Sequence, residues 1–244
     1  MQVPLEWKIP DKIRSRLSQK GGRQRAMVAD GHLLLVLHKV PEPGTSDRQI
    51  VFFWRSPDGN WHYSKGRGGL PMLKKHLEEY GSTIDQLDAA YRQSSAATDY
   101  FRILQSAFPL HRASKRLHQT LQSARESLPQ VEELIELRDW AGEFDRISEL
   151  LQIDVKNALD LTIATQAEEQ AHFGREVART SHRLNLLVAF FLPLTAIASL
   201  FGMNLSSGLE DTSPWVFWAI FGLGLFLGFT IRSLVLQGKR SRST

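Results

Sequence analysis

The chain has 244 residues, no cysteine and a formal net charge of +4, with a pI near 9.4 and a mean hydropathy of -0.24. That length allows one sizeable domain plus a short appendage, and the missing thiols exclude disulfides and thiolate metal sites, which fits a reducing cytosol. The basic residues are spread over both ends and interleaved with acids, which argues against a nucleic-acid-binding patch and for a basic membrane-facing surface.

In chain order, the N-terminal stretch MQVPLEWKIPDKIRSR has no apolar h-region, so no cleavable signal peptide is expected. Lys12, Arg14, Arg16, Lys20, Arg23 and Arg25 surround Gly21-Gly22. The first thirty residues therefore read as an irregular, solvated and partly mobile basic arm. Strand-like text follows at His32 to Val40, Gln49 to Trp54 and Trp61 to Tyr63, with Ser56-Pro-Asp-Gly-Asn60 as a turn. A small antiparallel sheet of three or more strands is expected over about Met27 to Ser64. Lys65-Gly-Arg-Gly-Gly69 is glycine-rich, but no Gly-Lys-Ser/Thr follows, so it reads as a linker and not a phosphate loop.

From Pro71 the period becomes helical. Leu73, Leu77 and Tyr80 define one helix that Gly81 should stop; Ser82 to Ala107 defines a second that Pro109 should break. A third, basic helix is expected from His111 to Leu128, ending at Pro129. Beyond it, a seam recurs every three or four positions at Leu134, Leu137, Trp140, Phe144, Ile147, Leu151, Val155, Ala158, Thr162 and onward to Val177, Ser181 and Leu184. This seam predicts one long helix; from Asp139 to Phe201 it would extend on the order of 90 Å at 1.5 Å per residue. Such a helix needs neighbours, and oligomerisation supplies them.

Leu184 to Phe201 contains no Asp, Glu, Lys, Arg or His, and Trp215 to Ile231 is equally free of charge. A bilayer core of about 30 Å needs roughly 20 mainly apolar residues as helix. Both runs are therefore read as membrane spans. The loop between them holds Glu210 and Asp211 and no cation, whereas Arg175, Arg179 and Arg183 precede the first span and Lys239, Arg240 and Arg242 follow the second. Positive-inside logic places both termini in the cytosol and the loop outside. The resulting division is a cytosolic domain over 1–130, a cytosolic stalk helix over 131–183, a first span over 184–204, an external loop over 205–214, a second span over 215–236 and a basic cytosolic tail over 237–244. Gly224-Leu-Phe-Leu-Gly228 should let helices approach closely, and Trp215 and Trp218 suit the outer interface.

Eight histidines invite a search for metal ligands, but none forms a His-Glu-x-x-His string or a tight His/Asp cluster. His111, His118, His172 and His182 read as solvated helix residues. No nucleophile elbow or Ser-His-Asp arrangement is identifiable, and no enzyme activity is expected.

Phe201-Gly202-Met203-Asn204 closes the first span. In isolation the string could simply cap a helix, since Gly and Asn both favour helix ends. Here it follows Pro193-Leu-Thr195 within the span and precedes a short acidic loop, a second span and a basic tail. This combination resembles the CorA family of magnesium channels, whose hallmark is Gly-Met-Asn at the end of the first of two C-terminal spans. The resemblance is closest from Leu184 to Lys239 and extends to the stalk. It implies an α-helical membrane protein with a small N-terminal α+β cytosolic domain and a long stalk helix running into the first of two C-terminal transmembrane helices. It further implies a homo-oligomer, a pentamer in the family, in a bacterial inner membrane, passing Mg²⁺ passively inward and regulated by Mg²⁺ as well.

The chemistry of the residues agrees. Mg²⁺ holds its waters tightly, so a ring of neutral oxygens from Asn204 and Gly202 can select the hydrated ion and still release it, with Met203 packing sideways. Thr195 and Ser199 can line a wet pore, and Leu192, Val188 and Leu184 can form an apolar gate; the small polar residues could equally make interhelical hydrogen bonds. Glu210 and Asp211 would concentrate cations at the mouth. The sheet region is shorter than the family's. The family's regulatory carboxylates lie between neighbouring cytosolic domains; Glu143 and Asp145 stand at a comparable distance before the motif, where they could also be ordinary stalk charges. Transport of Zn²⁺, Co²⁺ or Ni²⁺, and a membrane-anchored scaffold that transports nothing, are the competing readings.

Overall fold

Asp30 and Gly31, at φ of 50° and 77°, close a two-residue turn where the expected arm gives way to the expected sheet. Asp-Gly at positive φ is the turn that matches the twist of a β-hairpin. It joins β1 (Arg25–Ala29) to β2 (His32–His38), with Ala29 paired to His32 and Arg25 to Val36. β3 (Ile50–Arg55) and the short β4 (Trp61–Tyr63) complete an antiparallel meander of order β1-β2-β3-β4. The computed structural model describes residues 3–17, 22–42, 49–202 and 215–237. Contacts divide it into two units, Met1–Thr165 and Gln166–Thr244.

In the first unit both faces of the sheet are covered, which is why β2 and β3 are apolar without alternation. Leu33, Leu35, Leu37, Val51 and Phe53 form the inner face, packed with Leu73, Leu77, Tyr80, Leu110, Leu117 and Leu121 from the helices. Leu34, Val36, Ile50, Phe52 and Trp54 form the outer face, and there the cover is the N-terminal segment: Trp7, Ile9 and Ile13 are buried against them. Ile13 belongs to α1 (Asp11–Arg14), whose Arg14 donates back to the Trp7 carbonyl at 3.0 Å. The expectation of a solvated arm is therefore corrected. Lys12, Arg14, Arg16 and Arg23 are exposed, whereas Trp7, Ile9 and Ile13 seal the sheet; Lys20 lies outside the described residues. Trp7→Ala is expected to destabilise this unit by about 3–5 kcal/mol, as for other buried aromatic truncations, and denaturant unfolding of the full chain would show it.

Three further expectations are corrected. α2 (Gly69–Gln93) runs through Gly81. A Cβ at Gly81 would stand 3.0 Å from the Phe144 ring, so this glycine provides close packing and not a helix end. α3 (Ala97–Ser127) runs through Pro109. An interior proline costs about 3 kcal/mol, but Ile103, Leu104, Ala107, Leu110, Ala113, Leu117, Leu121 and Ala124 make one unbroken buried stripe across it. Burial of that stripe outweighs the lost hydrogen bond. Finally, Lys65 to Gly69 is no slack linker. Gly68, at φ 94°, is the residue before α2, and a Cβ at Gly69 would collide with the Trp61 carbonyl group. The glycines let the chain turn from β4 into α2 within van der Waals range.

α4 (Glu133–Gly202) is the expected long helix, 70 residues without a break. Leu134, Leu137, Ala141, Leu151 and Val155 are buried in the first unit. Beyond Val155 no described residue of α4 is buried. α5 (Trp215–Gln237) follows in the second unit.

Candidate functional site

In the second unit, α5 lies against the end of α4 through its two glycines. A Cβ on Gly224 would stand 3.2 Å from Ile197 and 3.3 Å from Leu194; one on Gly228 would stand 2.8 Å from the Phe190 carbonyl oxygen. As α5 advances from 224 to 228, its contacts on α4 retreat from 194 to 190, so the two helices are antiparallel and nearly touch backbone to backbone. The GxxxG reading of the sequence is thus realised as a helix contact. Gly228→Leu is expected to destabilise the hairpin by at least the roughly 1–3 kcal/mol of overpacking. Gly222→Leu, where nothing lies within 4 Å, should leave the thermal midpoint of the detergent-solubilised chain nearly unchanged.

These contacts give α4 an orientation. At 3.6 residues per turn, Phe190, Leu194 and Ile197 fall on one side, and Leu184, Val188, Leu192, Thr195 and Ser199 fall within roughly 80° of arc on the opposite side. That opposite face is bare: Leu184 is 57 % exposed, Val188 58 % and Leu192 65 %, and Thr195 and Ser199 are exposed too. These five residues share one surface, and none of the described residues covers it. The Thr195 hydroxyl donates to the Phe191 carbonyl at 2.9 Å. With its proton spent on the helix, its oxygen is presented outward as an acceptor. Gly202 is the last residue of α4; Met203 and Asn204, like Glu210 and Asp211 in the loop, lie outside the described residues. Trp215 and Trp218 at the start of α5 are 68 % and 67 % exposed.

In the first unit, the two stalk carboxylates have different surroundings. Glu143 is solvent-exposed and takes two bonds from Arg146, at 2.6 and 3.0 Å, which hold its carboxyl below the usual carboxylate range. Asp145 faces α3. His118 Nδ1 lies 3.1 Å from one of its oxygens and His111 Nδ1 3.8 Å from the other, while Ser148 Oγ bonds its backbone carbonyl at 3.0 Å. His111 and His118 are thus part of the α3–α4 joint, and the expectation that they are solvated is corrected. The His118 ring lies over Gly142, where a Cβ would be 3.4 Å from Nε2. The i, i+7 spacing of the two histidines was the available signal, but only the α4 partner gives it meaning. His172 is exposed and His182 half-buried. Among the described residues no group of three or more His, Asp or Glu side chains is arranged to hold a metal ion.

The small α+β domain is joined to a long helix that carries an 18-residue apolar window, none of it buried within the chain, and that is long and apolar enough to cross a membrane. α5 continues the apolar text, with Phe221–Thr230 as its described apolar stretch. Residues 71–235 match the family described as CorA-like Mg²⁺ transporter protein, and the chain belongs to that family. Membership implies divalent-cation transport by an integral membrane protein. Among solved structures, the full-length CmaX protein is similar at 16 % identity and a TM-score of 0.50, covering 89 % of this chain and 78 % of that one. A CorA magnesium transporter from Methanocaldococcus jannaschii is similar at 13 % identity and a TM-score of 0.45, covering 91 % and 80 %. Among curated proteins, none matches the chain by sequence.

Proposed function

We propose that the chain assembles as a homopentamer around the bare face of α4 and forms a passive Mg²⁺ channel of a bacterial inner membrane. One observation carries this reading: the face holding Leu184, Val188, Leu192, Thr195 and Ser199 is exposed, turned away from α5, and leads to Gly202 at the helix end. In a ring of such helices, the apolar residues narrow the cytosolic half and the hydroxyls line the half toward Gly-Met-Asn. Waters around Mg²⁺ point their protons outward, so the pore needs acceptors. The Thr195 oxygen is one, and the Asn204 and Gly202 carbonyls supply the selecting ring. Glu210 and Asp211 raise the local cation concentration outside. No energy-coupling motif is required, because a divalent ion gains about 4.6 kcal/mol per 100 mV of inside-negative potential. Both termini are cytosolic on this reading.

Regulation by cytosolic Mg²⁺ would use Glu143 and Asp145 between neighbouring chains. The ion would have to compete with Arg146 for the first and with His118 for the second.

The test is Mg²⁺ entry into proteoliposomes holding an internal Mg²⁺ dye, with an inside-negative potential imposed. Dye response that rises with the potential is the expected result. Silence from assembled, membrane-inserted protein would leave a non-transporting anchored scaffold as the better account. Stronger flux of Zn²⁺, Co²⁺ or Ni²⁺ than of Mg²⁺ would reassign the cargo.

A further inference from the structure

We propose that α4 carries, just before its apolar run, a binding stripe for the headgroups of anionic phospholipids. The proposal rests on the reading that α4 enters a bilayer at about Leu184. His172, Arg175, Arg179, His182 and Arg183 fall within roughly 100° of arc on the helix. Four of the five are exposed and His182 is half-buried. None of the three arginines has an ion pair among the described residues.

Helical phase places this stripe on the side of Phe190, Leu194 and Ile197, the residues that meet α5, and opposite the face of Leu184, Val188 and Leu192. The stripe therefore points away from the face proposed to line the pore. A cation cluster facing a pore would repel the cargo; one facing outward at the membrane edge meets lipid phosphates. The charge balance agrees. Between Arg175 and Gln237 the helices hold one acid, Glu176, and the tail adds Lys239, Arg240 and Arg242, outside the described residues. Antiparallel pairing of Gly228 with Phe190 brings the end of α5, up to Gln237, toward the level of the stripe. Arginine forks bind phosphate oxygens bidentately, and juxtamembrane cations are attracted by an anionic leaflet. A second copy's acids are the competing occupant; Glu169 and Glu176 lie to the side of the stripe, and Glu168, the acid that shares its phase, sits one turn before His172, farther from the apolar run than any of the three arginines.

The experiment uses the full chain in nanodiscs of phosphatidylcholine alone or mixed with phosphatidylglycerol, with native mass spectrometry for retained lipid and thermal unfolding as a second readout. Wild type is expected to retain phosphatidylglycerol selectively and to unfold at a higher temperature in its presence. The triple substitution Arg175→Gln, Arg179→Gln, Arg183→Gln is expected to lower that retention on the order of a hundredfold, and the triple lysine variant to restore most of it. If the glutamine triple does not fold, the three single glutamine variants serve, each with a partial loss. No preference in wild type, retention unchanged in every variant, or stabilisation reproduced by inorganic phosphate in phosphatidylcholine discs would each overturn the proposal. Resistance to alkaline carbonate extraction separates the two layers. A chain that extracts fails the membrane reading, whereas one that resists extraction yet shows no lipid preference fails this proposal alone.

Discussion

Asn204→Ala is expected to abolish Mg²⁺ flux in proteoliposomes while leaving the assembled protein intact. The side-chain carbonyl is the proposed group that meets the hydration shell of the ion, and alanine offers no acceptor there. Loss of one neutral oxygen from a single site would weaken binding modestly, by about 1 kcal/mol. In a symmetric ring the same oxygen is lost from every subunit, and the selecting surface disappears as a whole. In sequence Asn204 comes two residues after the end of α4 at Gly202, so the substitution replaces none of Phe190, Leu194 and Ile197, the residues that meet α5. Flux measured beside size-exclusion profiles of both proteins decides the matter. Wild-type flux persisting in an assembled Asn204→Ala protein would move the filter elsewhere. Thr195→Val supplies a graded comparison, since it removes the outward acceptor oxygen but keeps the shape, and should reduce flux by less.

The second large effect concerns stability and pH. His76, on α2, is 5 % exposed, its ring centroid 5.8 Å from that of Phe53 and 5.6 Å from that of Tyr80. Burial lowers its pKa to about 4, against a raising hydrogen bond to the His38 backbone and with a smaller lowering push from Lys39. In the unfolded chain the same group titrates near 6.5. Above that pH neither state is protonated and His76 contributes no pH dependence. As pH falls from about 6.5 toward 4, the unfolded chain gains a proton that the folded one refuses, and stability drops. At 1.36 kcal/mol per pH unit the full loss is about 3 kcal/mol, of which about 2 kcal/mol is gone by pH 5. His76→Phe keeps the ring volume among aromatic neighbours and relieves Nε2, which has no hydrogen-bond partner. The variant should show a flatter stability curve between pH 7 and 5 by denaturant unfolding, at the expense of the bond to His38. An equally steep curve in the variant would place the acid sensitivity in other groups.

The membrane part of this protein was legible because its signals are local. A run of eighteen residues from Leu184 to Phe201 without a charge predicts a helix for a bilayer whatever surrounds it, and a 3-4 seam predicts the helix that leads into it. Gly224 and Gly228 likewise announced a close helix contact, and the residues proposed to line the pore share one surface because a helix has a fixed period. The globular half was read less well. Trp7, Ile9 and Ile13 sit among six basic residues, so local composition says solvated arm; Leu34, Phe52 and Trp54, some 20 to 47 residues away, make them core. Gly81 and Pro109 carry strong stop signals, yet Phe144 and the buried stripe of α3 override both. His111 and His118 acquire a role only when α4 brings Asp145 against them. Propensity and hydropathy are summed along the chain, whereas burial and hydrogen bonding are summed through space. The sequence alone therefore determined which runs are apolar and helical enough for a membrane, and only the tertiary structure decided how the globular half is closed.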